Sequence, residues 1–268
     1  LVDSIKNTKQ DAYVVAEEWG DCAEFLQGNE WDTPMNYYGC ARPVREYVGE
    51  HDLFLVREEV VRKTKPNQSA KALATRIRQH LGKMPFALQQ VQFNLLDSHD
   101  ASRLHNNPEI SWEATKVAIT ILFTLPGMPS IYYGDEAGID GRIDTNEGFR
   151  YPMPWGKDFE KDAPYKCYQT LAKMKQSQEA FCDGGFKILW ETGKVFAFAR
   201  FTDKQLYYIV TSMEEETKEV QLPYDIFGYD KVAEMEDVFG TKVEFSDEKG
   251  SVNLKVPAGV AYIVKVQA

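Results

Sequence analysis

The chain is short of positive charge, of cysteine and of long apolar runs, and each shortage removes a class of function. Its 31 Lys and Arg are outnumbered by 41 Asp and Glu, a net charge of −10 over 268 residues. Nucleic-acid phosphates need a basic surface, so nucleic acid is not an expected partner. No apolar run reaches the ~18 residues that span a bilayer, so no membrane is expected either. The cysteines Cys22, Cys40, Cys167 and Cys182 are scattered, with no CxxC pair and no neighbouring His. They point to neither a zinc site nor a disulfide framework and read as thiols of a reducing compartment. No dense Asp/Asn cluster marks a calcium site, and no cofactor is required. An initiator Met, a basic n-region and a signal-like segment are also missing: Leu1, Val2 and Ile5 stand at helical spacing with no cap ahead of them. This opening reads as the tail of a helix that begins outside the chain, and the expected location is cytoplasmic.

What is present falls into two textures. At 43% hydrophobic and 27% charged the composition is that of a soluble globular protein with one or two domains. From residue 11 to 181, short apolar strands alternate with amphipathic segments, the rhythm of parallel βαβ units. Strands are predicted at 13–16, 35–38, 91–96 and 130–133. Ser69 caps a helix over 69–81 with Ala70, Leu73, Ile77 and Leu81 on one face, and Gly82 stops it. A second helix is predicted from Asn107-Pro108 to Leu125, broken by Pro126-Gly127, and a third over 165–178. After Phe181, strand-like stretches at 186–190, 195–200, 206–210, 220–222 and 260–264 follow at short spacing, an antiparallel sandwich. Four parallel strands beginning in mid-helix fit half of an eight-stranded barrel better than a small open sheet.

Polar residues collect where these strands end: Glu17 and Glu18, Asn36, His99 and Asp100, Asp135 and Glu136. Ligands bind at that edge of parallel α/β folds. A carboxylate directly after a buried strand is held rigidly and partly desolvated, which suits Glu17 to general-acid work. Glu18 and Asp135 read as supporting partners, and His51, His80 and His105 as surface or loop residues. The aromatics Trp190, Phe196, Phe198 and Tyr208 read as sandwich core.

Three stretches in order, Ala-Glu-Glu-Trp at 16–19, Asn-Leu-Leu-Asp-Ser-His-Asp at 94–100 and Leu-Pro-Gly-Met-Pro-Ser-Ile-Tyr-Tyr-Gly-Asp-Glu at 125–136, resemble the later signature regions of the α-amylase family of glycoside hydrolases, family 13. The segment from Arg150 to Trp155 is similar to that family's Arg-x-Pro-Met-x-Trp stretch. Glu17-x-Trp19 followed by Asp32-x-x-Met35-Asn36-Tyr37 most resembles the neopullulanase, cyclomaltodextrinase and maltogenic amylase subgroup. The resemblance runs through the whole chain. It implies the C-terminal half, strands five to eight, of a (β/α)8 TIM barrel over 1–180, then an antiparallel β-sandwich domain over 181–268. The implied activity is retaining hydrolysis of maltodextrin, cyclodextrin or starch-type α-glucans. By position, Glu17 is the acid/base and Asp100 the carboxylate that favours the oxocarbenium-like transition state. His99 hydrogen-bonds the sugar, Trp19 is a stacking wall, and Asp144 and Arg150 lie near the next glucose.

The family's nucleophile stands in an Arg-x-Asp motif ahead of the acid, and residues 1–16 contain none. Without it a glycosyl-enzyme intermediate cannot form. The chain alone is therefore expected to be inactive, and to need the missing half or a second copy to cover its open edges. A glucanotransferase, or a catalytically silent carbohydrate-binding or assembly subunit, are the alternative readings.

Overall fold

A computed structural model describes residues 2–51, 65–145 and 147–267. Helix α1 (Val2–Thr8) leads to β1 (Val15–Ala16), which runs parallel to β2 (Thr33–Pro34). Lys6 and the Val14 amide both bind the Asp32 carboxylate, at 2.8 and 2.7 Å, which fixes the entry to β1. Met35 continues β2 with a parallel bridge to Phe93 in β3 (Phe93–Asn94), and β3 runs parallel to β4 (Met128–Pro129). The four strands thus stand side by side in chain order, all pointing the same way.

Each strand is shorter than its apolar run suggests, and the fourth ladder lies ahead of 130–133. Pro34 and Pro129 have no amide hydrogen to extend a ladder. Side chains tie the strands instead. Thr33 Oγ1 accepts from the Phe93 amide at 2.8 Å, and Asn36 Nδ2 donates to Asn94 Oδ1 at 2.8 Å. Asn36 also accepts from the Gly39 amide, opening a π-helical turn (Tyr37–Ala41) that runs into α2 (Arg42–Tyr47). The expected strand at 35–38 is therefore a helix start after Met35.

Helix α3 (Ala70–Leu81) is capped by Ser69 and buries Leu73 and Ile77, and the short α4 (Phe86–Gln89) precedes β3. Helix α5 (Trp112–Thr124) begins at Ser111, not at Asn107-Pro108. Ser111 accepts from the Ala114 amide, whereas Asn107 spends its side-chain oxygen on the Glu109 amide in a preceding turn. Helices α6 (Ala163–Ser177) and α7 (Glu179–Cys182) follow.

The remaining strands form two antiparallel sheets. One takes β5 (Gly185–Thr192), β6 (Val195–Phe201), β7 (Leu206–Ser212), β12 (Ala261–Gln267) and β9 (Glu234–Asp237), in that order. The other takes β10 (Glu244–Glu248), β11 (Ser251–Val256) and β8 (Lys218–Pro223). Phe196, Phe198, Ile209 and Ile263 of the larger sheet share a core with Leu73, Val117 and Phe181 of the helices. Its other face meets Val220, Leu222, Val252 and Leu254 of the smaller sheet. Helix α5 is caught between layers, so all but Trp112, Glu113 and Lys116 are buried. Buried Arg200 fastens the layers by donating to the carbonyls of Thr124 at 2.9 Å and Gly184 at 3.1 Å.

His80 is 4% exposed and its Nε2 donates to Gln92 Oε1 at 3.2 Å, so it is a core residue and not the surface or loop histidine expected. Gly39 permits this, because a Cβ there would run into the His80 ring. Burial lowers the imidazole to about 4. Between about 4 and the ordinary 6.5 the unfolded chain binds a proton that the folded chain does not, so stability falls as pH drops through that window. In urea titrations this group is expected to remove about 2 kcal/mol of unfolding free energy between pH 7 and 5. His80→Gln should flatten that dependence; identical pH profiles for the two proteins would contradict it.

Candidate active site

The carboxyl ends of the parallel strands carry the polar groups. Asp100, after β3, is held from two sides: His99 Nε2 lies 3.1 Å from Oδ2, and Arg150 Nη2 donates to Oδ1 at 2.8 Å. Arg150 Nε also donates to the His99 carbonyl at 3.0 Å, so one guanidinium grips both residues of the couple. A planar fork suits this double contact in a way that a lysine does not.

Beneath the turn 98–100, the Tyr37 hydroxyl donates to Ser98 Oγ at 2.7 Å, and the Asp100 amide donates to the same oxygen at 3.1 Å. The Tyr37 ring stacks on Trp19, centroids 3.9 Å apart and planes 5° from parallel. Burial pushes the Tyr37 phenol up to about 12, and the negative charges of Asp100, Glu17 and Asp97 act on it in the same direction. Glu17 from the first strand end and Asp100 from the third therefore act on one phenol. Trp19 is the wall behind it.

Glu17 itself is exposed, where the sequence placed it partly desolvated. It follows β1, which among the described residues pairs only with β2; Val15 on that strand and Tyr13 just ahead of it are 37% and 40% exposed. Glu18 holds the turn beside it by accepting from the Trp19 and Gly20 amides at 2.9 and 3.0 Å. Asp144 is exposed and takes two hydrogen bonds from Arg142, at 2.9 and 2.7 Å, while Arg150 turns to Asp100. Among the described residues no group of three or more His, Cys, Asp or Glu is placed to hold a metal ion, and no helix is long and apolar enough to cross a membrane. The cysteines are free thiols.

Tyr37, Ser98 and Arg103 were not singled out from the sequence. Ser98 stood inside a quoted motif, and its position two residues ahead of Asp100, where a hydroxyl can accept from the backbone, was the available signal.

The fold thus sets carboxylates and a histidine after the ends of a parallel α/β layer, followed by a two-sheet antiparallel unit. Residues 1–180 match the family described as "Alpha amylase, catalytic domain", and the chain belongs to that family. A cyclomaltodextrinase of a Bacillus species is 29% identical over 213 residues, 79% of this chain and 35% of that protein. The intracellular maltogenic amylase of Bacillus subtilis is 26% identical over 206 residues, 76% of this chain and 32% of that protein. Among solved structures, the acarbose-soaked debranching enzyme of Nostoc punctiforme matches with a TM-score of 0.80 and 25% identity, covering 98% of this chain and 52% of that one. The chain spans about a third of the length of these curated relatives.

The brace under the turn is testable by a double-mutant cycle. Tyr37→Phe and Ser98→Ala should each cost about 1 kcal/mol of unfolding free energy. The double variant should lose little more than the worse single one, because both remove the same hydrogen bond. Strictly additive losses would contradict the contact.

Proposed function

We propose that this chain is the second half, strands five to eight, of the (β/α)8 barrel of a retaining α-glucosidic hydrolase, with residues 181–268 as its C-terminal sandwich. The substrates are maltodextrins, cyclodextrins or related α-glucans, in keeping with the names of its relatives. The observation that carries this reading is the grip of His99 and Arg150 on Asp100 after β3.

In this reading Glu17 protonates the glycosidic oxygen as the bond to the anomeric carbon breaks. A nucleophilic carboxylate from the other half of the barrel takes that carbon, and water later releases it with Glu17 acting as base. Asp100 accepts hydrogen bonds from the sugar hydroxyls, and its charge favours the developing oxocarbenium character. Arg150 keeps Asp100 aimed, and His99 donates to the sugar. Asp144 and Arg150 flank the next glucose. The other half, or a second copy, covers Tyr13 and Val15 at one edge of the sheet and Met128 and Ile131, 42% and 39% exposed, at the other. A cytoplasmic setting suits its four free thiols.

In the intact enzyme, Glu17→Gln should slow maltodextrin hydrolysis by about 10²–10⁴-fold. Its kcat/KM for α-maltosyl fluoride, which reports the bond-breaking step alone, should fall far less, because fluoride leaves without a proton. Equal losses of kcat/KM on both substrates would contradict the acid role. The isolated chain should not hydrolyse maltodextrin; turnover near that of a complete relative would refute the missing-half reading.

A further inference from the structure

Five ionisable side chains are buried together under the turn 98–100. Arg45, Glu50, Asp97, Arg103 and Asp135 are each at most 5% exposed. Arg45 pairs with Glu50, donates to the Leu96 and Ser102 carbonyls at 2.7 and 2.9 Å, and lies 3.7 Å from Asp97 Oδ2. Arg103 donates to Asp135 Oδ1 at 2.6 Å, with the Tyr132 and Tyr133 rings 4.3 and 5.0 Å from its guanidinium carbon. Asp97 accepts from the Leu104 amide at 3.0 Å.

Two arginines face three acids here, and an excess charge is costly where water is absent. Both oxygens of Glu50 are taken, accepting from two Arg45 nitrogens and from Asn107 Nδ2 at 3.0 Å. The surplus negative charge therefore falls on Asp97 and Asp135, one beside Arg45 at 3.7 Å and the other on Arg103 at 2.6 Å, and the two carboxyls act on each other. Burial, then the Asp97 charge, raises the Asp135 carboxyl well above the usual range, against the opposing pull of Arg103. From α6, the Tyr168 phenol is pushed up by its own burial, then by the charges of Asp135 and Asp97, with a smaller push from Glu136.

We propose that Asp97 and Asp135 share one proton, and that this Arg103-anchored carboxyl pair is the positioning element that aims His99 and Asp100 at the substrate. Asp97 and Arg103 flank the turn on either side, and Asp135 comes from the segment after β4. The pair thus ties both ends of the turn to the neighbouring strand end. Neither aspartate touches the sugar. The proposal rests on the reading that Asp100 acts on the sugar.

The test uses the intact enzyme. Asp135→Ala removes the partner of both Asp97 and Arg103 and should lower kcat about a hundredfold, the scale of a small misplacement of reacting groups, with KM within about threefold. Asp135→Asn should recover kcat to within about threefold of the parent, because an amide can donate to Asp97 and accept from Arg103 while remaining neutral. Infrared spectra of the parent at neutral pH should show a protonated buried carboxyl that Asp135→Asn lacks. If Asp135→Ala does not fold, the amide variant and the infrared band decide. An amide variant with kcat as low as expected for the alanine one, an unchanged kcat in Asp135→Ala, or no protonated carboxyl in the parent overturns the proposal. Asp100→Asn is the separate control: if it keeps full kcat, the functional reading fails whatever Asp135 does.

Discussion

The guanidinium of Arg45 holds the candidate site to the fold. It projects from α2, is 3% exposed, and reaches the carbonyls of Leu96 and Ser102, which bracket the residues carrying His99 and Asp100. Glu50 neutralises it from one side and Asp97 lies on the other. Without this group two buried carbonyls and an anion would lose their donor together, a cost that a buried hydrogen-bonded charge pair makes large. The geometry of the site is therefore decided in the interior. The exposed contacts among His99, Asp100 and Arg150 refine a turn whose backbone is already fixed, and such exposed ion pairs contribute little to stability alone.

The same layering explains the two textures of the chain. The five-stranded sheet is covered on one face by helices and on the other by the smaller sheet, so β6 and β7 are apolar almost continuously and were evident in the sequence. The smaller sheet has one face in solvent. In β11 only alternate residues, Val252, Leu254 and Val256, join the core, while Asn253 and Lys255 do not, and β10 is mostly charged and exposed. A search for apolar runs passes over β9, β10 and β11, although the alternation in β11 is the ordinary mark of a half-covered strand.

Legibility of the site followed the same division between local and distant. His99 and Asp100 follow closely in sequence on the strand that precedes them, and Glu17 directly follows its own, so their place after the strand ends could be read from the sequence. Helix starts were legible where one capping side chain decides them, as at Ser69, and misread where two compete, as at Asn107 and Ser111. The environment of Glu17 was misjudged because burial depends on what flanks β1, and no pattern within residues 13–17 carries that. The carboxyl pair and its arginines come from different segments and meet only in the folded chain. His80 was likewise invisible as a core residue, since its burial depends on the distant Gly39 leaving room for the ring.

The central claim is that Glu17, His99 and Asp100 converge on one glucose-sized subsite. The most direct measurement is a crystal structure of the intact enzyme, inactivated by Glu17→Gln, with a bound maltooligosaccharide. The account predicts one sugar ring in contact with His99 and Asp100, and the side chain at position 17 within hydrogen-bond reach of the adjoining glycosidic oxygen. A sugar seated elsewhere, or position 17 turned away from that bond, would contradict it.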